Sequence, residues 1–211
     1  VPSPPSHAAN FGSSVHNTLN DFYAYLKSGK AVSKELMSEL YEKNWLNYGY
    51  DSKTHEGERK KRGLDMLNEF FDKNADPWVV PAYIERPFNL KFGEYYISGR
   101  IDRIDKLADG SYEVIDYKTG SANRRDNLKK DLQLVIYAIA CRDVFKLNVS
   151  KLSLYFIEDN EKLSVSLEDM KIDDVKQAIF EQLREMEGSS FSPTPGFPCQ
   201  FCDFKLICPA A

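Results

Sequence analysis

The spacing of apolar residues predicts helices towards both ends of the chain, with strands concentrated in the middle. A helical stripe of apolar residues runs through residues 11–27, for which Ser13 or Ser14 is the expected N-cap. Period-two alternation and β-branched residues indicate strands after Trp78. The further helices are predicted at 33–47, 56–74, 128–145 and 172–187, and the strands within 78–92, 94–107, 111–118, 151–158 and 162–167.

This order of elements predicts a mixed α/β fold. The first three strands follow one another closely and are expected to pair antiparallel, whereas a helix separates them from the last two. Such an order is not that of a doubly wound parallel sheet. We therefore expect a small mixed sheet flanked by helices.

The 211 residues fit one domain. We expect this domain to span 11–190, with a charged, amphipathic helical insertion at about 33–75. Residues 1–10 are rich in proline and serine, and we expect them to be a linker at which a longer protein has been cut. Residues 191–211 are expected to form a cysteine-containing tail.

Composition narrows the classes of function. Hydrophobic residues make up 42% of the chain, enough for a sizeable core, and no apolar run approaches the roughly 20 residues that span a bilayer. A net charge of −4 gives no global basic field, so a nucleic-acid partner would need a locally basic surface. The expected DNA-binding residues, which alternatively form a solvated helix face, are Arg124, Arg125, Lys129 and Lys130.

The predicted hairpin within 99–120 carries the charged residues of greatest interest. A three-residue turn at Ala108–Gly110 would place Asp102 opposite Asp116, with Lys118 on the same face. A two-residue Asp-Gly turn would put the two carboxylates on opposite faces, and the sequence leaves both turns open.

Two opposed carboxylates about 5 Å apart repel each other unless a positive charge lies between them. Mg²⁺ or Mn²⁺ would suit Asp102 and Asp116, and Lys118 would then stabilise charge on a phosphate or deprotonate water. The alternative is a surface lattice of salt bridges that also includes Arg100, Arg103 and Asp105.

Four separated motifs resemble one family in the right order. The segments are FGSSVHNTL from Phe11, GRIDRID from Gly99, VIDYKTG from Val114 and DLQLVIYAIA from Asp131. Together they resemble the PD-(D/E)xK nucleases, in the branch typified by the nuclease domains of RecB and AddB. The resemblance implies a restriction-endonuclease-like core and a nuclease that requires a divalent metal.

Matched position by position, the resemblance assigns roles to individual residues. It implies His16, Asp102, Asp116 and the Tyr117 carbonyl as metal ligands, with Lys118 as the catalytic lysine. It further implies Gln133 and Tyr137, four apart on a helix, as active-site residues that position the phosphate or the lysine. Glu85 either binds metal or supports Arg86 or Arg100.

The tail contains Cys199, Cys202 and Cys208 in the spacing C-x2-C-x5-C, which favours a metal site and a reducing, cytoplasmic compartment. It resembles the C-terminal part of the [4Fe–4S] staple in relatives of this branch, whose fourth cysteine would precede Val1. Zinc is the alternative occupant, and Cys141 is expected to be a buried thiol.

The expected activity is therefore hydrolysis of DNA phosphodiester bonds. The resemblance implies an exonuclease on single-stranded DNA from a helicase domain or partner, in repair or recombination. Two alternatives stay open: a catalytically silent DNA-binding scaffold, and a nuclease acting on RNA.

Overall fold

Among the residues that the structure describes, five strands form a single sheet and lie side by side in the order in which they occur along the chain. The computed structural model describes residues 6–122, 128–202 and 204–210. The strands are β1 (Tyr83–Phe92), β2 (Tyr95–Lys106), β3 (Tyr112–Lys118), β4 (Val149–Phe156) and β5 (Glu161–Ser166). β3 and β4 pair in parallel and the other neighbours pair antiparallel, so the predicted mixed α/β fold is confirmed.

The described helices occupy the predicted regions, with different ends. They are α1 (His7–Lys27), α2 (Lys34–Asn44), α3 (Lys53–Asn74), α4 (Leu132–Asp143) and α5 (Ile172–Gly188). Leu128–Lys130, at the start of the predicted fourth helix, is instead a short 3-10 turn. α4 begins after this turn, at Leu132, because the Asp131 side chain caps it by accepting a hydrogen bond from the Leu134 N–H.

The prediction of Ser13 or Ser14 as the cap of α1 was wrong. The helix begins four residues earlier than predicted, at His7, and Ser6 caps it by accepting a hydrogen bond from the Ala9 N–H. Ser14 is not a cap because it lies inside the helix, where it is buried and its hydroxyl donates to the Asn10 carbonyl. The predicted domain boundaries themselves stay predictions.

The first three helices share one hydrophobic core with the sheet. Side chains from α2 and α3 are buried together with those of α1, and Ile115, Tyr117 and Tyr155 contribute from β3 and β4. Phe70 of α3 packs its ring against both Tyr117 and Tyr155, at 6.1 and 5.1 Å between centroids. The region predicted as a helical insertion therefore contributes to the core beneath the central strands.

Of the two turns that the sequence leaves open between β2 and β3, the structure has the three-residue one, Ala108–Gly110. The Gly110 N–H donates to the Leu107 carbonyl, and Gly110 takes the left-handed conformation with φ 86°. The Leu107 N–H in turn donates to the Ser111 carbonyl at 2.8 Å. Ladder pairs such as Arg103 with Ile115 continue this register, which sets Asp102 opposite Asp116.

The chain divides into two units, Pro5–Lys171 and a second unit that begins at Ile172. The second unit contains α5, an extended stretch and a 3-10 helix at Phe197–Phe201. Within the described ranges, every helix is too short or too polar to cross a lipid bilayer.

Two glycines of α3 provide a matched test of the core. A methyl group at Gly63 would lie 2.9 Å from the Phe11 ring and would also meet the Tyr41 hydroxyl, whereas one at Gly57 would meet nothing within 4 Å. Gly63→Ala is therefore expected to lower the free energy of unfolding by about 1–3 kcal/mol. Gly57→Ala should raise it by up to about 1 kcal/mol, because alanine favours the helix.

Urea denaturation of both variants beside the wild type measures these changes. Equal stability of the two variants would contradict the close packing of α1 and α2 against Gly63.

Candidate active site

Three potential metal ligands converge from α1, β1 and β2. Among the described residues, His16, Glu85 and Asp102 form the one group whose ligand atoms all lie within 4.8 Å of one another. His16 Nδ1 is 3.5 Å from Asp102 Oδ2, and all three side chains are partly accessible. A nitrogen and two carboxylates are thus presented together at a surface that a substrate can reach.

The backbone at Glu85 is strained. Its φ of 45° lies in the left-handed region, which non-glycine residues rarely adopt. Glu85 falls opposite Asp102 in the β1–β2 register. The strand pairing is interrupted there, because the flanking residues Ile84 and Arg86 are paired and Glu85 is not. Backbone strain of this kind is concentrated at functional sites, and here it occurs at the residue that brings a carboxylate to Asp102.

Asp102 also ties β2 to β3. Its Oδ2 accepts a hydrogen bond of 2.8 Å from the Tyr117 backbone N–H. Asp102 is therefore held against β3 by the backbone of Tyr117. The prediction that the Tyr117 carbonyl binds metal stays a prediction.

A second cluster surrounds Asp116, which is almost fully buried. Lys118 Nζ lies 2.7 Å from Asp116 Oδ2, and it donates to Gln133 Oε1 at 2.6 Å. Gln133 Nε2 donates both to Asp116 Oδ1 at 3.0 Å and to the Tyr137 hydroxyl at 2.6 Å. The structure thus brings together the four residues that sequence placed on β3 and on one face of α4.

The pKa of Asp116 is raised to about 6. Burial is the largest cause, the negative charge of Asp102 adds to it, and Lys118 and His16 act in the opposite direction. Asp102 and Asp116 are thus close enough for their charges to interact, although Asp116 lies outside the group of three ligands.

The charges of the site also affect His16 and Glu85. Burial lowers the pKa of His16, but the hydrogen bond and negative charge of Asp102, with Asp116 and Glu85, outweigh it and the net pKa is raised. Burial and then the charge of Asp102 raise the pKa of Glu85, against the guanidinium of Arg100. The site therefore has an excess of negative charge that a cation would relieve.

The donors present fit a hard divalent cation. Carboxylate oxygens and a single imidazole suit Mg²⁺ or Mn²⁺. Asp116 Oδ2 is buried, and the Lys118 ammonium lies 2.7 Å from it. A buried carboxylate beside three convergent potential ligands supports a metal at this place.

Arg103 and Asp105 form a buried ion pair, which rules out their place in the surface lattice of salt bridges considered above. Arg103 and Asp105 are only 6% and 5% exposed, so they do not belong to a surface lattice of salt bridges. Arg103 donates two hydrogen bonds of 2.7 Å to Asp105 and further ones to the hydroxyls of Tyr23 and Tyr117. This pair anchors the side chain of Tyr117, whose backbone holds Asp102.

The predicted DNA-binding residues are only partly described. Lys129 and Lys130 are exposed on the 3-10 turn before α4, and Lys129 Nζ lies 3.6 Å from Asp169. Arg124 and Arg125 lie outside the described residues. Their role in DNA binding stays a prediction.

The described part of the tail shows no convergent group of metal ligands. A [4Fe–4S] cluster takes four thiolates, and within the described residues no group of three ligand atoms includes a cysteine sulfur. Cys199, Cys202 and Cys208 are free and at least partly accessible. Cys141 is fully buried in α4, and burial raises the pKa of its thiol to about 12, as expected for a packing residue.

Sequence reasoning left one contact of the site undetermined. Of the two roles considered for Glu85, the structure shows the ion pair with Arg100, at 3.3 Å, and it places the Glu85 carboxylate within reach of the other potential ligands, while the metal-binding role stays a prediction. Arg86 instead stacks on the rings of Tyr83 and Phe145. The signal in the sequence was the period-two spacing of Arg100 and Asp102, which puts both on one face of β2.

Comparisons with known proteins bear on the family of the chain. No curated protein matches the chain. A solved structure described as "Crystal structure of SSO0001" is similar over 99% of this chain and 89% of its own, at 18% identity and a TM-score of 0.41, which carries no argument about function. The sequence pattern of the PD-(D/E)XK nuclease superfamily, whose members are metal-dependent nucleases, matches residues 2–209. The chain therefore belongs to the PD-(D/E)XK nuclease superfamily.

Proposed function

We propose that this protein is an exonuclease that hydrolyses phosphodiester bonds of single-stranded DNA, with Mg²⁺ or Mn²⁺, in DNA repair or recombination. The observation that carries the proposal is the group of His16, Glu85 and Asp102 beside the buried Asp116 and its partly exposed partner Lys118. The preference for DNA strands released by a helicase rests on the resemblance to RecB and AddB alone.

His16, Glu85, Asp102 and Asp116 would hold the metal. When bound, the metal supplies a Lewis acid for the scissile phosphate and lowers the pKa of a water molecule. Asp116 is held for this role by Gln133 and Tyr137, which donate to its Oδ1 at 3.0 and 3.4 Å, while the Lys118 ammonium lies 2.7 Å from its Oδ2.

Lys118 is positioned to act on the attacking water or on the developing negative charge. Its ammonium lies between the Asp116 carboxylate and the Gln133 amide oxygen, at 2.7 and 2.6 Å. Two acceptors fix the direction of a flexible side chain before the substrate arrives. Such preorganisation is the main means by which a charged group stabilises a transition state.

Gln133 and Tyr137 orient the other groups. Gln133 accepts from Lys118 through Oε1 and donates from Nε2, so it links the ammonium to both the Asp116 carboxylate and the Tyr137 hydroxyl. Burial, followed by the charge of Asp116, raises the pKa of Tyr137, so this hydroxyl stays protonated and serves as a hydrogen-bond donor.

An iron–sulfur cluster on Cys199, Cys202 and Cys208 is a further proposal that rests on the resemblance of the tail. No step of the proposed hydrolysis depends on it.

Substrate choice provides the direct test of the proposal. Incubation with end-labelled single-stranded DNA and Mg²⁺ or Mn²⁺ is expected to release products progressively from an end, and EDTA should stop the reaction. Double-stranded DNA and RNA are the comparison substrates on the same gels. Cleavage of RNA alone would favour the ribonuclease, and tight DNA binding without any cleavage would favour the scaffold.

Replacement of Lys118 tests the assignment of the catalytic ammonium. Lys118→Ala should lower the cleavage rate by about 10²–10⁴-fold, because it removes a preorganised proton donor or acceptor and its charge. Lys162→Ala is the matched control: Lys162 is equally exposed at 36% and pairs with a buried carboxylate, Glu113. Rates from single-turnover kinetics should separate the two variants, and equal rates would place the active site elsewhere.

Replacement of Glu85 distinguishes a metal ligand from a mere partner of Arg100. Glu85→Gln should weaken Mn²⁺ binding by about tenfold or more, because a charged ligand is lost. Isothermal titration calorimetry without DNA measures this affinity. The control is Glu158→Gln, which alters an exposed carboxylate near Arg62; unchanged Mn²⁺ affinity in Glu85→Gln would exclude Glu85 as a ligand.

A further inference from the structure

Arg100 holds one of the three convergent ligands from the outer side of the site. Its Nη1 lies 3.3 Å from Glu85 Oε2, and its side chain is 64% exposed whereas that of Glu85 is 24% exposed. The guanidinium therefore remains open to solvent while the carboxylate faces inward. An ion pair of this kind is weak and can exchange partners.

The position of Arg100 on β2 keeps it beside the metal ligands. It precedes Asp102 by two residues, so the two side chains leave the same face of the strand. Its Cα lies opposite Pro87 in the β1–β2 register, next to the irregular pairing at Glu85. Arg100 thus lies on the same face of β2 as Asp102, with its guanidinium exposed to solvent beside the potential ligands.

Glu85 has two competing uses for its negative charge. A bound cation needs the carboxylate as a ligand, while Arg100 neutralises the same carboxylate when no cation is present. A carboxylate that turns to a cation leaves the exposed guanidinium without its partner. A guanidinium matches two oxygens of a phosphodiester group in a bidentate geometry, which makes the DNA backbone its natural new partner.

We propose that Arg100 is a substrate-binding residue that exchanges partners: it pairs with Glu85 in the metal-free protein and with a backbone phosphate of the DNA once Glu85 binds the metal. This inference rests on the proposed function. It couples metal binding to DNA binding, since the metal releases Arg100 from Glu85 and Arg100 then binds the DNA strand.

The first measurement is metal affinity in the absence of DNA. Arg100→Ala should bind Mn²⁺ about twofold to fivefold more tightly than the wild type, because the competitor of the metal for Glu85 is gone. A residue that merely oriented Glu85 would give the opposite result, weaker binding. Isothermal titration calorimetry measures the Mn²⁺ affinity. The control variant is Arg142→Ala, which also removes an exposed arginine, one that pairs with Asp143.

The second measurement is affinity for a fluorescent single-stranded oligonucleotide, by anisotropy, with Ca²⁺ and separately with EDTA. With Ca²⁺, Arg100→Ala should bind several times more weakly, and its slope of log affinity against log salt should fall by about 0.7. With EDTA, the variant and the wild type should differ little. Arg100→Lys, which keeps the charge, should recover part of the affinity.

The results separate the inference from the function on which it rests. Wild-type affinity in Arg100→Ala with Ca²⁺, or an equal loss with Ca²⁺ and with EDTA, would overturn the exchange of partners, as would weaker Mn²⁺ binding. A wild-type protein that binds no nucleic acid in any condition would overturn the proposed function as well. Thermal melting of each variant shows that the fold is retained.

Discussion

Asp102 and Asp116 lie opposite each other because the turn at Ala108–Gly110 fixes the register of β2 against β3. A shift by one residue would send one of the two carboxylates to the other face of the sheet. The turn resists such a shift, since Gly110 adopts a φ of 86° and Ser111 donates to the Asp109 carboxylate from its backbone and its hydroxyl. The chemistry of the site depends on this local geometry.

The buried pair of Arg103 and Asp105 secures the same register from the opposite face. The cost of removing the Arg103 guanidinium from water is offset by two hydrogen bonds to Asp105 and others to two tyrosine hydroxyls. The guanidinium also stacks 4.3 Å from the centroid of the Tyr23 ring. Loss of one partner would leave a buried charge uncompensated, which typically costs about 3–5 kcal/mol. Tyr117 joins the two faces: its hydroxyl contacts Arg103, and its backbone N–H holds Asp102.

Opposite charges are arranged so that each carboxylate of the site has a different partner. Arg100 lies beside Glu85, His16 beside Asp102, and Lys118 beside Asp116. These pairs allow three acidic groups to gather before a metal arrives, although the pKa values of Asp116 and Glu85 remain raised. The site is therefore stable without a cation and still improved by one, which suits a reversible metal cofactor.

Sequence by itself determined the order of the elements, the presence of a hairpin and the spacing of Gln133 and Tyr137, because these depend on local periodicity. It left the length of the turn open, and the structure decided the register of β2 against β3. The sequence also carried the four motifs that resemble the PD-(D/E)xK nucleases. Only the tertiary structure decided that His16 and Glu85 meet Asp102, since they come from α1, β1 and β2 and converge only when helix and sheet pack. Likewise, the spacing of Arg103 and Asp105 shows that they share a face, while the packing of α1 and α3 decides that this face is buried.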